Sequence, residues 1–486
     1  MSVVTVQVGQ CGNQLGASLF EALDNHAPDN DPSTADEADA ASAAVACRRS
    51  FFRDGGIARA VIIDTEPKVI QRIVGGVHRH PGDRGQQRRP RSRQPDGASY
   101  YPTHGGATET RESWSYDNGG TQVCCHAQGG AANNWAYGYH GHGAAFSEAC
   151  LESVRREAER CDRLAGVSVL HSAAGGTGSG LGTYLTEVLR DDLPSAFLLN
   201  TVVCAHSSGE VILQNYNTLF TLSKLAKCSD GILVIENEAA TAVCRKLLRL
   251  ERPSHADLNK VICTSLVGAL VPTLSTTAPA VGRGTGGGGG GGMLHLGDKL
   301  AHLCANKDFM FLRASMVPQI PDRSRAFTSN TWEALTRRAY QMHITAALAE
   351  IDLDWSKKAA LGAGLGMHGL NQSVSSVLTF HGARQGAQAP PADCFRGRGL
   401  YADWSTTPFL ECQSPLRLHG HDRALSLISN SQAALGVLET AVGRSRSMYA
   451  AGAYVHQFAK FGAEREDFDE AFMGIEQTVE NYRSLG

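Results

Sequence analysis

The chain has 486 residues, enough for about three structural units at ~150 residues each. Hydrophobic residues make up 42% and charged residues 19%, which supplies a sizeable core and excludes wholesale disorder. With 45 basic and 48 acidic side chains and a net charge of −3, no basic surface is on offer to nucleic acid or an anionic membrane, and neither is expected as a partner.

The 13 cysteines are odd in number and scattered, as expected for reduced thiols in the cytoplasm. Cys124 and Cys125 are adjacent and lack a second ligand pair at zinc spacing. No charge precedes Glu21, so the basic region of a signal peptide is missing, and no acidic run closes the chain at Glu480–Gly486. The uncharged run from Val261 to Gly282 contains Pro272, Pro279 and several Ser and Thr, which argues against a membrane helix.

In chain order, Ser2–Val8 alternates as a strand and leads into Gly9-Gln-Cys-Gly-Asn-Gln-Leu-Gly16, after which Leu15, Leu19 and Leu23 recur at helical spacing. Arg59–Asp64 reads as a buried strand ending in an acid. Val167–His171 reads as another, running into Ser172-Ala-Ala-Gly-Gly-Thr-Gly-Ser-Gly-Leu-Gly182 and a helix with Leu181, Leu185, Val188 and Leu189 on one face. Phe197–Val203 and Gly231–Ile235 add two strands. Strands alternating with helices predict an α/β fold with a mostly parallel sheet covered on both faces.

Two stretches interrupt the pattern. Residues 79–111 are rich in Arg, Gly, Pro and Gln with almost no aliphatic periodicity, as expected for a disordered insertion. Residues 274–292 end in seven glycines and read as a flexible insertion, since no helix start is poised to use them for phosphate. At the C-terminus Phe468, Phe472, Ile475, Val479 and Tyr482 form a helical stripe, expected to pack onto the body of the protein.

The strongest local signal is Thr177-Gly-Ser-Gly180 between a strand and a helix. Glycines let the backbone curl so that several N–H groups converge beside the positive end of a helix dipole, and phosphate is the natural ligand. Leu181 stands where a P-loop needs Lys, and the dinucleotide spacing also fails, at Leu181 or Thr183. By itself the loop indicates a phosphate binder of unstated type.

Six spaced motifs go further. Gly9–Gly16, Asp64-Thr-Glu-Pro67, Ala131-Ala-Asn-Asn134, Ala174-Gly-Gly-Thr-Gly-Ser-Gly180, Glu236-Asn-Glu238 and Ser254-His-Ala-Asp-Leu-Asn259 together resemble the tubulin family, in family order and over nearly the whole chain outside the two insertions. The resemblance implies a Rossmann-like parallel-sheet GTP-binding domain over 1–237, a core helix and second α/β domain over 238–437, and C-terminal helices over 438–486.

The resemblance also implies roles. Gln10, Cys11 and Gln14 would line the α- and β-phosphates, with Ser172, Gly176, Thr177, Gly178 and Ser179 cradling them from the glycine-rich loop. Glu66, helped by Asp64, would face Mg²⁺ and the γ-phosphate, with Asn133 near the same phosphate. Asn237 and Asn259 would read guanine through amides that donate and accept, and His255 stands where the family stacks an aromatic ring. The ribose-side loop resembles Gly209–Asn217, where Gln214 replaces the family's acid and Glu210 is the one acid present.

Asn133-Asn-Trp-Ala-Tyr-Gly-Tyr139 and the insertion before Gly297-Asp-Lys-Leu300 resemble the delta branch of the family. That implies a structural component or organiser of the triplet microtubules of centrioles and basal bodies, and so of cilium and flagellum assembly. Other tubulins, alpha and beta or centriolar, and centriolar proteins would be its partners. Its implied location is the cytoplasm and cytoskeleton at the centriole, basal body or cilium base, with the nucleus as a further compartment. Other readings are a self-assembling GTPase and a soluble GTP-binding regulator outside any lattice. In the family an acid from the next subunit helps activate water. Matching Asp298 to the leading aspartate of that loop puts Ala301 at the catalytic position, so this loop is expected not to stimulate hydrolysis in a neighbour. Any GTPase activity would be slow and interface-dependent.

Overall fold

The computed structural model describes residues 1–26, 37–77, 114–117, 121–125, 129–206, 209, 211–276, 292–321, 324, 327–328, 330–357, 370–383 and 392–485. The expected insertion at 79–111, residues 277–291 of the expected insertion at 274–292, and Glu210 lie outside the described residues.

The strands are β1 (Ser2–Val8), a small hairpin of β2 (Phe52–Arg53) and β3 (Ile57–Ala58), β4 (Ala60–Asp64), β5 (Val123–Cys125), β6 (Leu164–Ser172), β7 (Phe197–Cys204), β8 (Gly231–Glu236), β9 (Thr273–Ser275), β10 (Met293–Leu294), β11 (Phe311–Val317), β12 (Ser373–His381), β13 (Phe409–Ser414) and β14 (Ala424–Ser431). Apart from the hairpin they form one sheet in the order β10-β9-β13-β12-β14-β11-β8-β7-β6-β1-β4-β5. From β8 to β5 every pairing is parallel, as the alternation of strands and helices predicts. Beyond β8 the sheet becomes mixed. β11 joins β8 through two parallel pairs, Phe311 with Ile232 and Leu312 with Leu233, and then runs antiparallel to β14.

Alternation in β1 does not mark a solvent-facing side. All seven of its residues are buried. Val4, Val6 and Val8 face the helices Ala144–Glu159 and Gly182–Asp192, packing with Phe146, Leu151, Val154, Leu185 and Leu189. On the other face Val3 joins Leu15, Leu19 and Leu23 of helix Gly9–His26 and Ile262 and Leu266 of helix His255–Leu270. Gln7 is polar yet fully buried, and accepts a hydrogen bond from the Tyr116 hydroxyl at 3.2 Å. A parallel sheet sandwiched between helices has no wet face, so a polar side chain there depends on partners inside the protein.

The C-terminal stripe packs as expected. Phe468, Phe472, Ile475, Val479 and Tyr482 of helix Arg465–Arg483 are buried against Leu219 and Phe220 of helix Gln214–Cys228. Tyr482 is pinned further, accepting from the Phe311 N–H at 3.0 Å and donating to Asn430 Oδ1 at 2.6 Å. Among the described residues no helix is long and apolar enough to cross a membrane.

Candidate functional site

The parallel strands β1, β4, β5, β6, β7 and β8 all end at the same rim, and a cavity of about 400 Å³ opens there. This is where open α/β sheets place ligands, because helix N-termini and turning loops converge beyond the strand ends. The cavity is lined by Gln10, Cys11 and Gln14 from the first two turns of helix Gly9–His26, and by Asp64 and Glu66 from the end of β4 and the turn after it. Gly130–Asn133 follow β5, Ser172 ends β6 and Ala174–Gly178 follow it, and Asn237, His255 and Asn259 complete the lining from the helices that start at Asn237 and His255.

All the expected site residues line this cavity except Ser179 and Glu210. Ser179 is fully buried, and its hydroxyl turns back into its own loop to donate to the Gly175 carbonyl. The serine thus shapes the loop instead of facing the cavity. Glu210 lies outside the described residues. Gln214 in the expected ribose-side loop also points elsewhere: its amide donates to the His206 carbonyl at 3.0 Å, away from the cavity lining.

The two glycine loops touch. Gly9 has φ +72°, a left-handed conformation, and a Cβ added there would lie 2.9 Å from the Gly178 amide nitrogen. A Cβ on Gly176 would lie 2.4 Å from the Ala131 carbonyl oxygen. Only glycine permits both approaches. The helix starting at Gly9, and the turn Thr177–Leu181 that leads into helix Gly182–Asp192, both open toward the cavity. Among the described residues that line the cavity none is Lys or Arg, so these residues would hold an anion through backbone N–H groups and helix dipoles.

The turn after β4 makes a neighbouring part of the wall acidic. Asp64 is 3% exposed; its Oδ1 accepts from the Thr65 N–H at 2.8 Å and the Glu66 N–H at 3.4 Å, and Asn13 Nδ2 donates to Oδ2 at 3.3 Å. Burial wins over these hydrogen bonds and raises its pKa from 3.8 to about 6. A buried carboxylate pushed up in this way is a ready partner for a cation. Among the described residues no group of three or more His, Cys, Asp or Glu side chains is arranged to hold a metal. Asp64 and Glu66 supply two carboxylates, the ligand chemistry of hard cations such as Mg²⁺. Burial also pushes the Cys11 thiol up to about 12, leaving it protonated and uncharged against the ligand space.

Several residues that hold these walls escape sequence reasoning. Asn13 is fully buried, and its amide donates to the Ile63 carbonyl at 3.0 Å. The Thr65 and Thr177 hydroxyls meet at 2.8 Å, tying the acidic turn to the glycine-rich loop. Ala132 and Asn133 both have positive φ, 48° and 53°, a conformation that costs about 1 kcal/mol per non-glycine residue. Asn217 holds them there: its Nδ2 donates to the carbonyls of Asn133 at 2.8 Å and Ala174 at 2.7 Å, and its Oδ1 accepts from the Trp135 N–H at 2.9 Å. The signal available in the sequence is an asparagine on the buried face of each helix, Asn13 and Asn217, where burial demands a partner.

Residues 2–245 match the Tubulin/FtsZ family, GTPase domain. The whole chain is 32% identical over 503 residues to the tubulin delta chain of Mus musculus, covering 100% of both chains. The chain belongs to the tubulin family. The tubulin delta chain of Homo sapiens is 33% identical over 503 residues, again covering 100% of both. A tubulin beta chain of Porphyra purpurea is 25% identical over 491 residues, covering 98% of this chain and 91% of that one. This tubulin is therefore more similar to delta chains than to that beta chain, and its GTPase-domain match spans every strand that ends at the cavity.

The helix Leu296–Leu303 carries Asp298 and Ala301. Asp298 accepts from the His295 N–H at 2.8 Å, capping its own helix, and Ala301 is exposed with no group able to take a proton. Lys299 between them is buried, with Nζ donating to the carbonyls of Ala269 at 3.1 Å and Val271 at 2.8 Å. Burial lowers its pKa to about 8. The ammonium thereby satisfies carbonyls at the C-terminal end of helix His255–Leu270, where positive charge is favoured.

Proposed function

We propose that this tubulin binds GTP with Mg²⁺ in the cavity and serves as a structural component or organiser of centriolar and basal-body triplet microtubules, and so of cilium assembly. The observation that carries the nucleotide reading is the polarity of the cavity. One end is a cradle of backbone N–H groups without basic side chains, and the other presents the amides of Asn237 and Asn259 beside the His255 ring. A purine nucleotide has that polarity. Gln10, Cys11, Gln14, Ser172 and Gly176–Gly178 would hold phosphates, and Asp64 and Glu66 would hold Mg²⁺ beside the γ-phosphate. Asn133 would fix that phosphate, and Asn237 and Asn259 would select guanine. The ion would neutralise phosphate charge, which no lysine or arginine among the described lining residues offsets.

The cellular role rests on the likeness to tubulin delta chains over the full length. Other tubulins would dock along its longitudinal faces, placing it in the cytoskeleton at the centriole or the base of the cilium.

The test is to purify the protein in Mg²⁺, denature it and identify the released nucleotide by chromatography, with Asn237→Ala alongside. Stoichiometric guanine nucleotide from the parent and its loss from a folded Asn237→Ala variant are expected. A folded parent that releases none overturns the nucleotide reading. Fluorescent tagging in ciliated cells tests the address, and a diffuse signal with no centriolar focus overturns it.

A further inference from the structure

Three hydroxyls belong to the stretch Ser172–Gly182, and two of them are set from within it. Ser172 Oγ accepts from the Ala174 N–H at 3.0 Å, and Ser179 donates to the Gly175 carbonyl. Thr177 differs. Its hydroxyl meets that of Thr65 at 2.8 Å, across 112 positions of sequence. Thr65 stands between the two acids of the cavity, Asp64 and Glu66, yet does not itself line it. The turn around it is fixed, with the Thr65 N–H donating to Asp64 Oδ1 at 2.8 Å. At 1% exposure, bulk water does not compete for its hydroxyl. Thr177 does line the cavity, so a residue behind one wall orients a polar group on another.

A hydroxyl has one proton and two lone pairs, and in this pair either oxygen can donate. The two arrangements present opposite polarity to the cavity. If Thr65 donates, Thr177 keeps its own proton free to donate outward. If Thr177 donates, it turns only lone pairs outward. The surroundings choose between them. Around Thr177 the cavity carries acceptors: the carboxylates of Asp64 and Glu66 and, on the nucleotide reading, the phosphate oxygens held at Gly176–Gly178. Lone pairs facing acceptors are repelled, so Thr177 donates outward, and that needs a donor behind it.

We propose that Thr65 is a positioning residue for phosphate, donating to Thr177 so that the Thr177 hydroxyl donates in turn to a phosphate oxygen. This role rests on the nucleotide reading and belongs to a side chain that does not touch the ligand. Each link strengthens the next, because an oxygen that accepts a hydrogen bond is a better donor, and the last bond ends on an anion. Valine keeps the branched shape of Thr65 and removes the relay. Serine keeps the hydroxyl and removes a methyl group.

The experiment strips bound nucleotide from the purified full-length protein and measures GTP binding at equilibrium across a range of Mg²⁺ concentrations. Thr65→Val is expected to bind GTP about tenfold more weakly in excess Mg²⁺, with the Mg²⁺ concentration at half-maximal binding unchanged. Thr65→Ser should bind as the parent does. In a Thr177→Val background the further loss from Thr65→Val should fall within about twofold, since the relay is already broken. Melting curves without nucleotide report folding, and Thr65→Ala takes the place of a Thr65→Val variant that does not fold. A folded variant lacking the hydroxyl that binds like the parent overturns the proposal. So does a loss that Thr65→Ser shares, or one that persists in full beside Thr177→Val. A raised Mg²⁺ requirement at unchanged affinity in excess Mg²⁺ overturns it in favour of the reverse arrangement, with Thr177 lone pairs facing the ion. A folded parent that binds no GTP is a separate outcome, and it overturns the nucleotide reading itself.

Discussion

The side-chain amide of Asn217 donates to the backbone carbonyl of Asn133 at 2.8 Å, across a gap of many residues in sequence. The same side chain takes the Ala174 carbonyl and the Trp135 N–H. One fully buried asparagine thus holds the glycine-rich loop and the segment carrying Asn133 at a fixed separation. Asn217→Ala leaves two carbonyls and an amide without partners inside the protein. It is expected to lower stability by about 3 kcal/mol and to loosen nucleotide retention, although Asn217 does not line the cavity. Thermal denaturation with and without added GTP checks this, and an unchanged midpoint would contradict it.

The contact between Gly9 and Gly178 leaves no room for a side chain. Gly9→Ala forces an alanine into φ +72° and its Cβ against a backbone nitrogen. A loss of about 2 kcal/mol is expected, with reduced nucleotide content in whatever protein still folds. Chemical denaturation gives the first quantity and chromatography of the released nucleotide the second.

Asp64 makes a pH-dependent prediction. Its folded pKa of about 6 lies above its ordinary 3.8. Its protonation therefore stabilises the fold fully below the ordinary value, and that stabilisation is lost as pH rises through the folded value. The shift is worth at most about 3 kcal/mol. Without nucleotide, Asp64→Asn should melt higher than the parent at pH 7.5, and the gain should vanish near pH 4. With GTP and Mg²⁺ the order should reverse, because the ion compensates a charge the amide lacks. Melting curves at the two pH values decide it: a variant less stable than the parent at both would show that hydrogen bonds to the carboxylate outweigh its burial.

Asp298 separates structure from catalysis. It caps the helix Leu296–Leu303, so Asp298→Ala should cost about 1 kcal/mol of stability. GTP turnover by assemblies of this tubulin should stay unchanged within error, since Ala301 offers no base. Phosphate release abolished by the substitution, in protein that remains folded, would show that Asp298 acts on a neighbouring subunit.

The nucleotide half of the molecule is legible in the sequence because parallel strands buried on both sides read as aliphatic runs, and the turns after them need particular residues. Glycine at 9, 176 and 178 is dictated by contact with backbone, and contact of that kind leaves a motif. The mixed half is harder to read. β12 and β14 carry Ser373, Ser375, Ser376, Ser426, Ser429 and Ser431 at buried positions, which looks like loop composition. Ser429 and Ser431 pair locally with each other, but the hydroxyls of Ser373, Ser375, Ser376 and Ser426 find partners remote in sequence, Ser376 with the Tyr401 hydroxyl at 2.6 Å and Ser375 with the Leu303 carbonyl at 2.8 Å. Remote pairing of this kind leaves no local pattern. Ser179 illustrates the converse. It belongs to a recognisable motif, yet its hydroxyl direction is set by the turn of its own backbone.

Helix His255–Leu270 is fixed at both ends by different chemistry. Ser254 and Asp257 cap its start beside the three cavity residues it carries, and the Lys299 ammonium grips the carbonyls at its end. Its 16 residues make a rod about 24 Å long. Clamped at both ends, the helix is a stiff strut that sets the spacing between His255 and Asn259 at the cavity and the Lys299 ammonium on helix Leu296–Leu303.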